Sequence, residues 1–158
     1  MSLPLSKHTF RASIIHFIKN IPWLNPFGLT LTFKQQVNFQ KLDMILASSN
    51  IRHFINRLNR LILKSSSKRF KKGIHVFPII EKSADERLHV HAVIDCPTHI
   101  EPSKFHQLID EAWSKTNFGY RHTHIQSIQD DGWTNYITKF DQKSHYDLAI
   151  DWENVHSN

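Results

Sequence analysis

The chain has 158 residues, a length typical of one domain, and 40% of them are hydrophobic while 22% are charged. These proportions, together with only four glycines and six prolines, exclude a disordered or collagen-like chain. Lysine and arginine outnumber aspartate and glutamate by 20 to 14, and the formal charge of +6 favours polyanionic partners such as nucleic acid. The single cysteine, Cys96, excludes an intramolecular disulfide and a multi-cysteine zinc site.

The first part of the chain predicts a helix followed by a strand. Apolar residues recur at helical spacing over residues 7–20, and Pro22 ends the pattern. The apolar stretch around residues 14–18 is broken by His16 and Lys19 and lacks a signal-peptide cleavage pattern, so we expect no membrane span and a cytoplasmic protein. Residues 29–33 alternate apolar and β-branched polar side chains, which predicts a half-buried strand.

The centre of the chain predicts a long helix and a basic loop. Apolar positions between residues 42 and 64 recur at three and four, which indicates one long helix or two abutting helices near residues 48–50. A serine-rich connector follows, and its basic residues are candidates for DNA binding through the phosphate backbone, with a solvated loop as the alternative. These residues are Lys68, Arg69, Lys71 and Lys72.

Two further strands, a helix and a last strand and helix follow. Residues 74–81 and 88–95 predict an antiparallel hairpin, in which Pro78 favours an edge strand or a bulge because proline cannot donate a ladder hydrogen bond. A helix begins at Pro102 and carries one apolar stripe, a strand fits residues 122–128, and Gly132 precedes the last helix. This order predicts an α+β fold, with an antiparallel sheet and helices packed on one face.

Two histidines on the second strand of the hairpin are candidate metal ligands. Side chains alternate faces along a strand, so His89 and His91 share one face while the apolar residues share the other. If the turn centres on Asp85, Glu81 lies opposite His89 on the same face, and this favours the pair over the histidines at 122 and 124. One carboxylate and two imidazoles suit Mg²⁺ or Mn²⁺, with zinc or metal-free surface histidines as alternatives.

A tyrosine and a lysine on the predicted last helix form the second candidate site. Tyr136 and Lys139 are three residues apart and therefore project from the same face of a helix. The tyrosine hydroxyl has an ordinary pKa of about 10, so its attack on phosphorus requires a cation or base that favours the phenolate. Lys139 can supply that charge or hold the phosphate.

Three short motifs occur in order: the alternating run at 29–33, His89 and His91 after an acidic residue, and Tyr136 with Lys139. Their order and spacing resemble those of rolling-circle replication initiators, the Rep proteins of the HUH endonuclease superfamily. The match covers about residues 29–140. It is closest to single-tyrosine members, because Phe140 stands one turn on, where two-tyrosine members carry their second tyrosine.

The resemblance implies a HUH, ferredoxin-like fold with a five-stranded antiparallel sheet, whose open face carries the metal beside the tyrosine helix. It implies that Glu81, His89 and His91 hold a divalent cation, that Tyr136 attacks a scissile phosphodiester and that Lys139 assists. Single-stranded DNA would be cut at an origin hairpin, leaving a 5′-phosphotyrosine and a free 3′-hydroxyl that can reverse the reaction. We expect one domain, with a helical extension at 1–28, a catalytic core at 29–140 and a tail at 141–158.

The expected partners are origin DNA, single-stranded or in a hairpin, together with a separate helicase and polymerase. The sequence contains no G-x-x-x-x-G-K-[S/T] phosphate-binding loop, so strand separation is expected to come from another protein or from supercoiling. A HUH transposase is one alternative, against which Lys139 and Glu81 favour the initiator. A non-catalytic nucleic-acid-binding module is another, but it would need exposed aromatic residues on the central strands.

Overall fold

The computed structural model describes residues 6–63, 73–129, 132 and 150–157. Within these ranges the chain forms three α-helices, a four-stranded antiparallel sheet, a two-stranded hairpin and a short 3₁₀ turn, so the predicted α+β class is confirmed. In chain order the elements are α1 (Lys7–Asn20), β1 (Pro26–Phe33), β2 (Gln36–Val37), β3 (Gln40–Lys41), α2 (Met44–Leu63), β4 (Val76–Lys82), β5 (Leu88–Asp95), α3 (Pro102–Ser114), β6 (Gly119–Ser127) and the 3₁₀ turn (Trp152–Asn154).

The main sheet has the strand order β4-β5-β1-β6, with every neighbouring pair antiparallel. The five strands implied by the resemblance are therefore corrected to four in the described part of the chain. Residues 36–41 do not extend this sheet, because the short polar strands β2 and β3 pair with each other. Strands β1 and β6 each begin three residues earlier than the sequence predicted, since Phe27 packs into the core and Gly119 already pairs with Phe33.

One face of the sheet carries the main hydrophobic core. Alternate residues of β1 and β5, including Leu29, Leu31, Val90 and Ala92, are buried against α2 and α3. The prediction left open whether residues 42–64 form one helix or two, and the structure shows the single helix α2. Its N-terminus is capped by Asp43, whose carboxylate accepts a hydrogen bond from the Leu46 amide at 2.8 Å.

Helix α3 begins at Pro102 and buries the predicted stripe of five residues. They are Phe105, Leu108, Ile109, Ala112 and Trp113. The chain then turns tightly into β6 at Gly119. A Cβ atom at this position would lie 2.0 Å from the Trp113 carbonyl oxygen, so the close approach of β6 to α3 requires glycine.

The opposite face of the sheet is divided into an apolar end and a polar end. At the apolar end, Ile14 and Ile18 of α1 pack against Phe77, Ile79 and Val93. The sequence predicted only that α1 packs against the rest of the chain, and the structure shows that it lies on the face opposite α2 and α3. The remaining polar end of this face carries the candidate metal ligands.

Strand β4 is an edge strand of the main sheet, as Pro78 predicts. The segment 150–157 lies along it through isolated bridges between Val76 and His156 and between Ile79 and Ile150. The amide of Asp151 donates to the Pro78 carbonyl at 3.1 Å. None of the helices in the described ranges is long and apolar enough to cross a membrane.

Candidate metal centre

The hairpin of β4 and β5 sets the register of the candidate ligands. Glu81 pairs directly with His89, which confirms the register predicted from the sequence. The turn closes through hydrogen bonds from the Ser83 amide to the Arg87 carbonyl and from the Glu86 amide to the Ser83 carbonyl, both 2.9 Å. The Ser83 hydroxyl donates to the Asp85 carboxylate and lowers the pKa of that exposed carboxyl. Asp85 is thus bonded within the turn, and Glu81 faces the histidines.

The three side chains converge on a single carboxylate oxygen. Glu81 Oε2 lies 2.8 Å from His91 Nε2 and 3.5 Å from His89 Nε2. The two imidazole rings are 4.9 Å apart and nearly perpendicular. One ligand atom from each residue lies within 4.8 Å of the other two, a spacing that a divalent cation can bridge. His91 is buried whereas Glu81 and His89 are half-buried, so the cluster is accessible from the open face of the sheet.

Thr30 orients the buried histidine from the neighbouring strand. In the sheet Thr30 pairs with His91, and Thr30 Oγ1 lies 3.2 Å from His91 Nδ1. If His91 uses Nε2 as a ligand, its Nδ1 carries the proton and donates to Thr30. The strand predicted at 29–33 therefore contributes to the site, a role that the alternation of its residues did not reveal.

Gln35 fixes the end of the sheet at which the cluster lies. Its side-chain Nε2 donates to the Leu88 carbonyl and its Oε1 accepts from the Leu88 amide, both at 2.9 Å. Leu88 directly precedes His89, so these bonds join the segment after β1 to the first residue of the ligand strand. A glutamine in a polar loop carries no sequence signal for such a role, and the prediction did not single it out.

The second histidine pair lies elsewhere in the sheet. His124 on β6 pairs with Thr30 on β1, so β1 separates it from His91, and both β1 and β5 separate it from Glu81. His122 and His124 are both exposed on β6. Of all the groups among the described residues, Glu81, His89 and His91 form the set that meets the spacing of a metal site.

The open face of the central strands lacks the side chains of a base-stacking platform. Strands β1 and β5 present Thr30, Thr32, His89 and His91 at its polar end, and none of these is a phenylalanine, tyrosine or tryptophan. A sheet that binds nucleic acid by stacking carries such rings on its central strands. The arrangement therefore favours a metal centre over the alternative of a non-catalytic module.

Several predicted functional residues lie outside the described residues. This applies to Tyr136 and Lys139 on the predicted last helix. It applies equally to the basic connector of Lys68, Arg69, Lys71 and Lys72. Gly132, predicted to precede the last helix, is itself helical.

Comparison with protein families gave one match that covers most of the chain. The family model, described as a replication-associated protein of the ORF2 type, matches residues 26–145 of the 158. The matched segment contains β1, the ligand hairpin and the positions of Tyr136 and Lys139. No curated protein and no solved structure gave a significant match.

Proposed function

Because the chain belongs to this ORF2-type family of replication-associated proteins, which is consistent with a rolling-circle HUH nuclease domain, we propose that it nicks and rejoins single-stranded DNA at a replication origin. The observation that carries this proposal is the convergence of Glu81, His89 and His91 at one end of the sheet. A replication protein with such a cluster has the means to bind a cation next to a DNA phosphate.

Glu81, His89 and His91 would hold the divalent cation. Their donor set, one carboxylate oxygen and two imidazole nitrogens without a thiolate, suits Mg²⁺ or Mn²⁺. When bound, the cation would polarise the scissile phosphate and stabilise the charge that develops during attack. The half-buried position of Glu81 and His89 leaves room for phosphate oxygens to approach from the open face.

The nucleophile in this proposal is Tyr136. Its phenolic oxygen forms a bond to phosphorus while the bond from phosphorus to the 3′ oxygen breaks, giving a 5′-phosphotyrosine and, after the phenol proton is passed on, a 3′-hydroxyl. Lys139, three residues later on the predicted helix, would stabilise the phenolate or hold the phosphate. Attack by the 3′-hydroxyl on the phosphotyrosine reverses the step and rejoins the strand without an external energy source.

The proposal extends to the domain and its partners. We propose that residues 29–140 form the catalytic core of a single HUH domain that acts in the cytoplasm, flanked by the extension at 1–28 and the tail at 141–158. A separate helicase would open the duplex, and a polymerase would extend the 3′-hydroxyl. The single-tyrosine HUH transposase remains the alternative, and a substrate preference for transposon ends over origin hairpins would favour it.

The proposal is tested by covalent capture of DNA. The protein is incubated with a pool of labelled single-stranded oligonucleotides and Mn²⁺, and the products are separated on a denaturing protein gel. We expect labelled DNA to migrate with the protein in Mn²⁺ and not in EDTA. A DNA-binding protein that forms no such band with any oligonucleotide in Mn²⁺ or Mg²⁺ would contradict the nicking mechanism.

Replacing Thr30 by valine is expected to lower the affinity for Mn²⁺ by roughly 10- to 100-fold, the usual effect of losing a group that orients a metal ligand. Valine keeps the shape of threonine but removes the oxygen 3.2 Å from His91 Nδ1. Isothermal titration calorimetry with MnCl₂ measures the change.

Thr32 provides a matched control for this prediction. It lies on the same strand and face, but its hydroxyl donates to the His122 carbonyl at 2.9 Å rather than to a candidate ligand. Thr32→Val is therefore expected to keep the Mn²⁺ affinity of the parent protein. Equal losses in Thr30→Val and Thr32→Val would show that the strand, and not the Thr30 contact, supports the site.

Neutralising the basic connector is expected to weaken DNA binding and to reduce its salt dependence. Each phosphate contact contributes about 0.7 to the slope of log affinity against log salt for a single strand, so four contacts contribute about 3. The variant replaces Lys68, Arg69, Lys71 and Lys72 by glutamine. Fluorescence anisotropy with a labelled single strand, measured over a range of NaCl concentrations, gives the slope.

Two lysines at α3 serve as the control for charge alone. Lys104 on α3 and Lys115 directly after it are exposed, and the helix packs against the face opposite the candidate metal centre. Changing both to glutamine removes as much charge as changing Lys71 and Lys72. If the α3 pair lowers the salt slope as much as the connector pair, net charge accounts for binding and the connector has no specific role.

A further inference from the structure

Phe39 is an apolar residue placed at the tip of the β2–β3 hairpin, where it is fully exposed (relative exposure 102%). The two-residue turn is formed by Asn38, which has a positive φ of 52°, and Phe39. Gln36 Nε2 donates to the Asn38 carbonyl at 2.9 Å and holds the turn in place. An ordered turn that holds a phenyl ring entirely in solvent makes no use of that ring in folding.

The hairpin is attached at the end of the sheet that carries the candidate metal centre. Its root is closed by a hydrogen bond from the Leu42 amide to the Gln35 carbonyl at 2.9 Å. The Gln35 side chain in turn makes two bonds to the backbone of Leu88, the neighbour of His89. At about 3.3 Å per residue, the four residues from Gln35 to Phe39 reach about 13 Å from this anchor. A DNA strand at the cluster lies within that reach.

The charges around the hairpin are complementary to DNA. Lys34 and Lys41 are exposed on either side of its root. The nearest acidic residue in sequence, Asp43, is occupied by the N-terminus of α2 through its bond to the Leu46 amide. Beside the ring, Val37, Asn117 and Phe118 line a recess that is open to solvent. Cations flanking an exposed ring form the combination that binds a single strand by phosphate contacts and base stacking.

We propose that Phe39 stacks on a nucleobase of the DNA strand engaged at the metal centre, while Lys34 and Lys41 contact the adjacent phosphates. The inference rests on the proposed function, because it takes DNA to be the ligand at the cluster. It assigns the β2–β3 hairpin a part in holding the strand, separate from the residues that would cut it.

Binding to two single strands of equal length tests the stacking contact. One is a labelled pool of random sequence, and the other is an abasic strand that keeps the phosphates but lacks the bases. Loss of one stacked base costs about 1–3 kcal/mol, so Phe39→Ala is expected to weaken binding of the random pool roughly 5- to 150-fold. Binding of the abasic strand should not change, and Phe39→Trp should restore binding of the pool.

Leu24→Ala is the control for loss of an exposed apolar side chain. Leu24 is 70% exposed and precedes β1, at the end of the sheet opposite the cluster. It should bind both strands like the parent, whereas Lys34→Gln with Lys41→Gln should weaken binding of both strands. Circular dichroism confirms that each variant is folded.

The outcomes separate this inference from the proposed function. If the parent protein forms the covalent adduct and Phe39→Ala binds the random pool unchanged, the stacking inference is wrong while the nicking proposal stands. If Phe39→Ala weakens both strands equally, the ring does not contact a base and the inference is again wrong. If the parent protein forms no adduct in Mn²⁺ but loses pool binding specifically in Phe39→Ala, the stacking contact stands and the nicking proposal fails.

Discussion

Replacing Tyr136 by phenylalanine is expected to abolish the covalent protein–DNA adduct while leaving DNA binding intact. The change removes the one oxygen that would attack phosphorus and alters the side-chain volume little. Loss of an enzyme's nucleophile lowers its rate by about 10⁶-fold, so no adduct should be detected on a denaturing gel. Anisotropy with the same oligonucleotide should give the affinity of the parent protein.

The other two tyrosines provide controls for this result. Tyr120 begins β6 beside His122, with ring centroids 5.6 Å apart, and Tyr146 follows the predicted last helix. Tyr120→Phe and Tyr146→Phe should each form the adduct. If Tyr136→Phe still forms the adduct and one of the other variants does not, the nucleophile has been assigned to the wrong residue.

Replacing Glu81 by alanine is expected to weaken Mn²⁺ binding and DNA cleavage together, by at least about 100-fold at limiting metal. This exceeds the usual effect of losing an orienting group, because a ligand itself is removed. The carboxylate supplies the charge of the cluster and approaches both His89 Nε2 and His91 Nε2. Two imidazoles remain, so excess Mn²⁺ should partly restore adduct formation in Glu81→Ala but not in Tyr136→Phe.

Glu86 is the matched carboxylate for this experiment. It lies in the turn of the same hairpin, is exposed, and forms an ion pair with Lys82 at 3.9 Å. Glu86→Ala should bind Mn²⁺ and cleave like the parent, as measured by calorimetry and by the rate of adduct formation. Normal activity in Glu81→Ala together with a defect in Glu86→Ala would place the third ligand in the turn.

The candidate metal centre was largely predictable because strands have a period of two. Alternation places His89 and His91 on one face, and a hairpin with its polar turn centred on Asp85 places Glu81 opposite His89. The stripe of α3 was predictable for a similar reason, since its buried residues recur at helical spacing. In each case the decisive contacts are set by local geometry along one or two adjacent elements.

Features that depend on distant parts of the chain were not predictable. The contact between Thr30 and His91 joins residues 61 positions apart, and it depends on which strand lies beside β5. The packing of α1 against Phe77 and Val93 depends on the path of the loop after Asn20, which Asp95 fixes by accepting from the Leu24 and Asn25 amides. The β2–β3 hairpin has strands of two residues, too short for a periodic signal.

Mapping the site of DNA attachment tests the central claim most directly. The parent protein is incubated with the single-stranded pool and Mn²⁺, the adduct is digested with nuclease and protease, and the modified peptide is sequenced by mass spectrometry. The account predicts a nucleotide linked through its 5′-phosphate to Tyr136, with the modification absent in EDTA. Attachment at Tyr120 or Tyr146, or attachment that is equally abundant without a divalent cation, would contradict it.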